Sequence, residues 1–284
     1  RCRRQRQMCI RDRNRITDRL LVVFDLETTG LCTENDRVVQ FGTAHFRNGS
    51  LVGIKDTLVN PCMPIPAEAS VVHSILDEDV ADCANFGILG FEFASTLLGK
   101  TTELYTPING AEVPVLCGYN ALSYDVPLLN SELSRHCIPT LIDQKRVLDP
   151  LVWLKFYKRN LRSRTLTNIA EYYNCPFANA HRASSDAEIT GHILFKMIED
   201  GTIPDDVDQA LAIQKRLDVA IKGEQQRYGR FLYVDREDES VLRLGFGKHA
   251  GKRLNEAPQP YIRWLLSLSD IPQMAVSEMR AWVG

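Results

Sequence analysis

The sequence predicts an α/β domain with a mixed five-stranded sheet flanked by helices, followed by a small C-terminal α+β module. Three observations carry this. Three strand-like segments come first, the second and third joined by an Asn-Gly hairpin signal. Strands and helices then alternate to about residue 200. The last 40 or so residues change composition and become rich in Gly, Lys, Trp and Pro.

The first strand is the apolar run Leu20 to Phe24, which reads as a buried central strand. Val38 to Phe46 and Leu51 to Val59 are the next two, joined at Arg47-Asn48-Gly49-Ser50. Asn60-Pro61 to Pro66 breaks the pattern, and short helices follow over Ala67 to His73 and Ile75 to Val80. Phe86 to Gly99 has helical spacing, Val113 to Cys117 is a buried strand, and Tyr124 to His136 is a helix. Arg146 to Asp149 is a short strand, with helices over Leu151 to Tyr157, Thr165 to Tyr173 and Ser185 to Glu199. Val207 to Arg227 forms a charged helix, and an acidic turn separates strands Phe231–Val234 and Val241–Leu244. The expected division is a leader over 1–19, the main domain over 20–200, a helical linker over 201–238 and the small module over 239–284.

At 284 residues, 44% hydrophobic and 25% charged, the chain has the bulk properties of an ordinary globular protein. No apolar run approaches the ~18 residues of a membrane helix, so no membrane association is expected. The eight cysteines (2, 9, 32, 62, 83, 117, 137 and 175) form no Cys-x-x-Cys pair and no finger-like spacing with His. That pattern favours a reducing, cytoplasmic setting over disulfides or structural zinc. Net charge is −2, but residues 1–19 carry eight Arg and two Asp, a local +6 that leaves −8 for the rest. Overall charge therefore gives no support to nucleic-acid binding. The leader lacks the apolar core of a signal peptide. A basic arm for nucleic acid is one reading. The string also resembles translated read-through of a sequencing adapter, and on that ground 1–19 is expected not to be native.

Two acids, Asp25 and Glu27, interrupt the first strand. Residues i and i+2 of a strand project from one face, so these carboxylates sit side by side. Two unpaired like charges are costly to bury, and a divalent cation is the economical partner. The alternative ends the strand at Phe24 and leaves both acids in a solvated turn. Elsewhere, Ser123 can cap the helix that follows the fourth strand segment, placing Asp125 in its first turn. Ser185 with Glu188 makes a capping box, which puts Asp186 at the first position of another helix. His181 precedes that helix on a loop, and its ordinary pKa near 6.5 suits a base.

Asp25-Leu26-Glu27-Thr28-Thr29-Gly30, Asn120 to Asp125, and His181-x-Ala183-x-x-Asp186-Ala187 together resemble the three exonuclease motifs of the DEDD superfamily, histidine branch. That family includes polymerase proofreading subunits, ribonuclease T and oligoribonuclease. Asn60-Pro61-x-x-Pro64-Ile65-Pro66 to Val72-His73-x-Ile75 resembles the segment after its third strand. Asn120 and Asp125 lie five apart where many members have four. The resemblance implies a ribonuclease H-like sheet and a 3′-to-5′ exonuclease releasing nucleoside 5′-monophosphates. It assigns two divalent ions, Mg²⁺ or Mn²⁺, to Asp25, Glu27 and Asp186, with Asp125 contributing directly or through water. Hard cations prefer carboxylate oxygen, and a pair of them stabilises both the attacking and the leaving oxygen. His181 is then the base, and Thr28, His73 and Asn120 contact the terminal nucleotide. The implied substrates are DNA 3′ ends, single strands preferred, with RNA as the rival; a polymerase or a second copy is the implied protein partner.

Lys155 to Arg164 holds five basic residues, Lys155, Lys158, Arg159, Arg162 and Arg164, with Phe156 and Tyr157 interleaved. It is a candidate for phosphate contact, the alternative being a solvated helix end. Gly245 to Leu254 is not a phosphate loop, because Gly245 stands too far from Gly251 and Arg253 follows Lys252. Phe246 to Lys252, through Pro260 to Leu266, instead resembles the small C-terminal domain of exodeoxyribonuclease X-like nucleases. There Lys248, His249, Lys252 and Arg253 are candidates for backbone contact, and Tyr261, Trp264 and Leu265 are expected in the module's core. The alternative is a folding or docking module.

Overall fold

The apolar run at Leu20 opens the central strand, β1 (Leu21–Thr28), in a computed structural model that describes residues 14–99, 113–159, 161, 163–176 and 182–283. β2 (Val38–Arg47) and β3 (Ser50–Leu58) follow as an antiparallel hairpin, and β2 pairs antiparallel with β1. β4 (Val115–Cys117) and β5 (Val147–Leu148) add in parallel on the other side. The sheet is therefore mixed and five-stranded, in the order β3-β2-β1-β4-β5. Asn48 (φ 52°) and Gly49 (φ 72°) both take the left-handed conformation that a two-residue hairpin turn requires.

Alternation along β1 sorts its side chains onto two faces. Val22, Phe24 and Leu26, with Leu20 before them, enter a core with Phe86, Phe93 and Leu97 of α3 (Phe86–Leu98) and Val126, Leu129 and Leu133 of α4 (Asp125–Arg135). The two short helices α1 (Ala67–His73) and α2 (Asp77–Val80) border a smaller cluster of Val39, Ile65, Ile75 and Val80. α5 (Pro150–Tyr157) and α6 (Leu166–Tyr172) precede α7 (Ala183–Glu199), which covers the opposite face of the sheet. Its approach needs two glycines. A Cβ on Gly42 of β2 would lie 2.1 Å from the Ala183 carbonyl carbon, and one on Gly191 would lie 2.3 Å from the Phe46 ring.

The chain divides into two compact units, Arg1–Trp153 with Ser163–Gln214, and Leu154–Arg162 with Lys215–Gly284. α8 (Val207–Tyr228) runs from the first into the second. In the second unit, β6 (Leu232–Val234) and β7 (Leu242–Leu244) pair antiparallel. With α9 (Gln259–Leu265) and α10 (Gln273–Val283), they enclose a core of Phe231, Leu244, Ile262, Leu265 and Met279, among others. Among the described residues, no helix is long and apolar enough to cross a membrane.

Several boundaries differ from those read in the sequence. Residues 14–19, assigned to the leader, pack onto the first unit. Ile16 is fully buried, Thr17 Oγ1 donates to Asp205 at 2.7 Å, and Val207 N donates to Asn14 O at 3.0 Å. The segment 201–238 is no separate linker: β6 shares a sheet with β7, and its first part belongs to the first unit. α4 starts at Asp125 without a cap from Ser123, its N-cap being Tyr124. α7 starts at Ala183, two residues before the expected capping box, because acceptors come from the sheet. Ala183 N donates to Gln40 Oε1 (3.0 Å), and Ser184 N and Oγ donate to Asp56 (3.1 and 2.7 Å). These acceptors satisfy N–H groups that a local cap otherwise serves.

Candidate active site

β1 continues past Phe24 to Thr28, so Asp25 and Glu27 are strand residues on one face, and the solvated-turn reading is excluded. Asp25 stands opposite Gly42, and Gly42 stands opposite Asp56, on one rung across three strands. Because Gly42 has no side chain, the first turn of α7 reaches the sheet there and brings Asp186 over it. Carboxylate oxygens of Asp25, Glu27 and Asp186 all lie within 4.8 Å of one another. Asp125 belongs to the same neighbourhood, but its Oδ1 accepts from Leu26 N at 3.2 Å.

Burial lifts Asp25 well above the usual carboxylate range, and Asp125, Asp186, Glu27 and Asp56 push it the same way. Glu27 is pushed up to about 8, by burial first and then by Asp186, Asp125 and Asp56. Asp125 rises to about 7, again through burial, with Asp149 adding to it and the Leu26 N–H opposing. Such a cluster of hard oxygen donors, destabilised by its own charge, fits a divalent cation.

Beside the acids, the turn after β1 is tied down. Thr29 Oγ1 donates to Asp36 at 2.9 Å, and Cys32 N donates to the other Asp36 oxygen at 2.7 Å. Thr28 Oγ1 and the Tyr124 hydroxyl lie 2.5 Å apart, and both reach the Gly30 carbonyl. Three oxygens thus share two protons, linking the Asn120–Asp125 loop to the Thr28–Gly30 turn. His73, 5% exposed at the end of α1, accepts from Ile75 N at its Nδ1 (3.0 Å). Among the described residues its Nε2 meets no side-chain partner, and burial lowers its pKa, with a hydrogen bond to the Thr28 main chain opposing. Asn120 sits at φ 63° in a loop anchored by Asp149. Asp149, 1% exposed, accepts from Asn120 N (3.0 Å), Leu122 N (3.2 Å) and Leu151 N (3.0 Å).

Residues 22–104 match the family model for exonucleases (RNase_T). The chain is 29% identical over 178 residues to the PolC-type DNA polymerase III of Caldanaerobacter subterraneus subsp. tengcongensis. The chain carries an exonuclease domain. That alignment covers 63% of this chain and only 11% of the polymerase. A solved exonuclease I superposes with a TM-score of 0.55 at 15% identity, over 91% of this chain and 61% of that one. A zinc-bound complex of E. coli exonuclease I with single-stranded DNA gives 0.53 at 15% identity, over 89% and 60%. The ribonuclease H-like fold expected from the sequence is the fold observed.

The first unit brings Asp25, Glu27 and Asp186 together, and sets Asp125, Thr28 and His73 around them. His181 and Arg162 lie outside the described residues. The basic stretch is divided, with Lys155, Lys158 and Arg159 in the second unit and Arg164 in the first. Arg159, a candidate for backbone contact, pairs with Glu224, 5% exposed, and lies 4.9 Å over the Tyr233 ring. Arg236 completes that pair from the other side and stacks on Phe156 at 3.8 Å. Of the two aromatic residues read as interleaved for nucleic acid, Phe156 is thus a partner of this buried ion pair, whereas Tyr157 is 48% exposed. Lys248 and Lys252 are exposed in the second unit. Trp264 does not join the module's core, being 47% exposed, whereas Tyr261 and Leu265 do join it.

Sequence reasoning passed over Tyr124 and Asp149. Asp149 had a signal, since an Asp directly before Pro150 marks a helix N-cap. Tyr124 had none.

Proposed function

We propose that this chain is a metal-dependent 3′-to-5′ exonuclease that removes nucleoside 5′-monophosphates from DNA 3′ ends, preferring single strands. The observation that carries the reading is the Asp25–Glu27–Asp186 cluster at the head of an exonuclease domain. Asp25, Glu27 and Asp186 would hold two divalent ions, Mg²⁺ or Mn²⁺, with Asp125 contributing directly or through water. Bound there, such ions polarise the scissile phosphate and lower the pKa of water. The residues supply the rest. His181 takes the proton of the attacking water. The Thr28–Gly30 turn, fixed through Tyr124 and Asp36, borders the terminal nucleotide. His73, whose Nδ1 already accepts from Ile75 N, turns its Nε2 edge to the same nucleotide. Asp149 holds the loop from which Asn120 reaches the same nucleotide.

The preference for DNA draws on the polymerase relative and on the exonuclease I held on single-stranded DNA. Trimming of RNA 3′ ends is the rival activity. A polymerase partner is a further reading, favoured by the one observation that the matching segment is 11% of a polymerase chain. Incubation with 3′-labelled single-stranded DNA and RNA of matched sequence, in Mg²⁺, Mn²⁺ or EDTA, tests the proposal. Labelled mononucleotide should leave DNA with either metal and not in EDTA. Digestion in EDTA, or none of either polymer, contradicts it.

A further inference from the structure

The second unit carries a cleft that the exonuclease chemistry does not use. Lys248, His249, Pro258, Pro260, Tyr261 and Trp264 enclose about 520 Å³. Tyr261 is its fixed wall. The ring is 8% exposed, and its hydroxyl donates to Phe246 O at 2.8 Å. A Cβ on Gly247 (φ 75°) would lie 2.1 Å from that hydroxyl, so glycine is what admits it. The His249 ring meets Tyr261 edge-on at 4.6 Å, and Trp264 lies 5.4 Å away at 34°. Trp264 nevertheless keeps 47% of its surface in water, whereas Tyr228, Phe231 and Tyr261 are closed in. An indole face left open beside a cleft is a platform for a flat apolar partner.

Charge selects the partner. Residues 243–263 contain five Lys or Arg and one Glu, in a chain of net charge −2. Lys248 Nζ stands 5.9 Å over the Tyr261 ring. Among the described residues, neither Lys248 nor Lys252 forms an ion pair with a carboxylate. Desolvation, then Lys252 and Lys248, lower the pKa of His249. Exposed cations around an aromatic platform are the two parts that single-stranded nucleic acid engages, phosphate on one and base on the other. A duplex keeps its base faces stacked and offers none.

We propose that this cleft holds one unpaired nucleobase against Trp264, with Lys248 and Lys252 on the flanking phosphates. The ligand class rests on the nuclease reading above; the site does not overlap the acid cluster. Anisotropy of labelled twelve-nucleotide dT and U strands with the full chain in EDTA tests it. Trp264→Ala should weaken binding about 5- to 150-fold, the equivalent of ~1–3 kcal/mol for one stacked base. Trp264→Phe should restore most of it. Joint replacement of Lys248 and Lys252 by Ala should flatten the salt dependence of binding. Hydrolysis of a dinucleotide in Mg²⁺ should not change in Trp264→Ala or Trp264→Phe. If the wild-type chain hydrolyses DNA but Trp264→Ala, folded by thermal unfolding, binds as tightly as wild type, the cleft proposal is overturned and the nuclease reading stands. Capture of a proline-rich acidic peptide, with no oligonucleotide bound, also overturns it. Absence of hydrolysis by the wild type on any substrate sinks the nuclease reading instead.

Discussion

Asp25 and Glu27 owe their chemical state first to burial and then to the neighbouring carboxylates, Asp125 and Asp186 foremost. In the metal-free chain Glu27 holds its proton up to about pH 8, whereas the same group in the unfolded chain releases it near 4.5. Between those values the folded state binds more protons, so its stability falls as pH rises. Divalent cations need the ionised carboxylates and reverse the penalty. The thermal midpoint in EDTA should therefore decline from pH 6 to pH 8, and the gain from saturating Mg²⁺ should widen over the same range. Differential scanning fluorimetry across that range checks both signs; a constant gain would detach the shifts from metal binding. His181 has a separate prediction. His181→Ala should slow hydrolysis by the ~10²–10⁴ of a lost general base without altering the thermal midpoint. Unchanged turnover would remove it from that role.

At the scale of elements, the site exists because α7 meets β2 at a glycine. Gly42→Val puts side-chain carbon where the Ala183 carbonyl carbon and Ser184 N now lie, 2.1 and 2.2 Å from a Cβ. Overpacking of this kind costs roughly 1–3 kcal/mol. It should also lift Asp186 from Asp25 and Glu27, so both thermal midpoint and hydrolysis should drop. Gly53→Ala on β3 is the control, since a Cβ there meets nothing within 4 Å, and neither quantity should change. The elements themselves were legible in the sequence where the cause is local. Period-two alternation placed Asp25 and Glu27 on one face, and Asn48-Gly49 marked the hairpin. Legibility failed where the cause is distant. Ser185 and Glu188 suggest a helix start, but Gln40 and Asp56, more than a hundred residues earlier in the chain, cap α7 two residues sooner. Arg159 looked free for phosphate because Glu224 is 65 residues away. Trp264 looked like core because aromatic spacing on a seven-residue helix does not say which side of it is open.

For the whole molecule, the division into units separates two kinds of chemistry. The first unit gathers carboxylates at the end of the central strand, and the second gathers cations around an aromatic cleft. The three motifs that carry the acids are separated in the sequence, and β1 with α7 brings Asp25, Glu27 and Asp186 of two of them into one site. The unit boundary was less legible, because the residues after Asp200 divide between the two units without a compositional break. The central claim is that the cluster of Asp25, Glu27 and Asp186 is a divalent-cation centre. A manganese titration followed by electron paramagnetic resonance at pH 8 tests it most directly. The account predicts about two equivalents of Mn²⁺ bound per wild-type chain, and loss of that binding in a folded Asp186→Asn variant. Mn²⁺ that stays free in the presence of the wild-type chain, or binds the variant equally well, would contradict it.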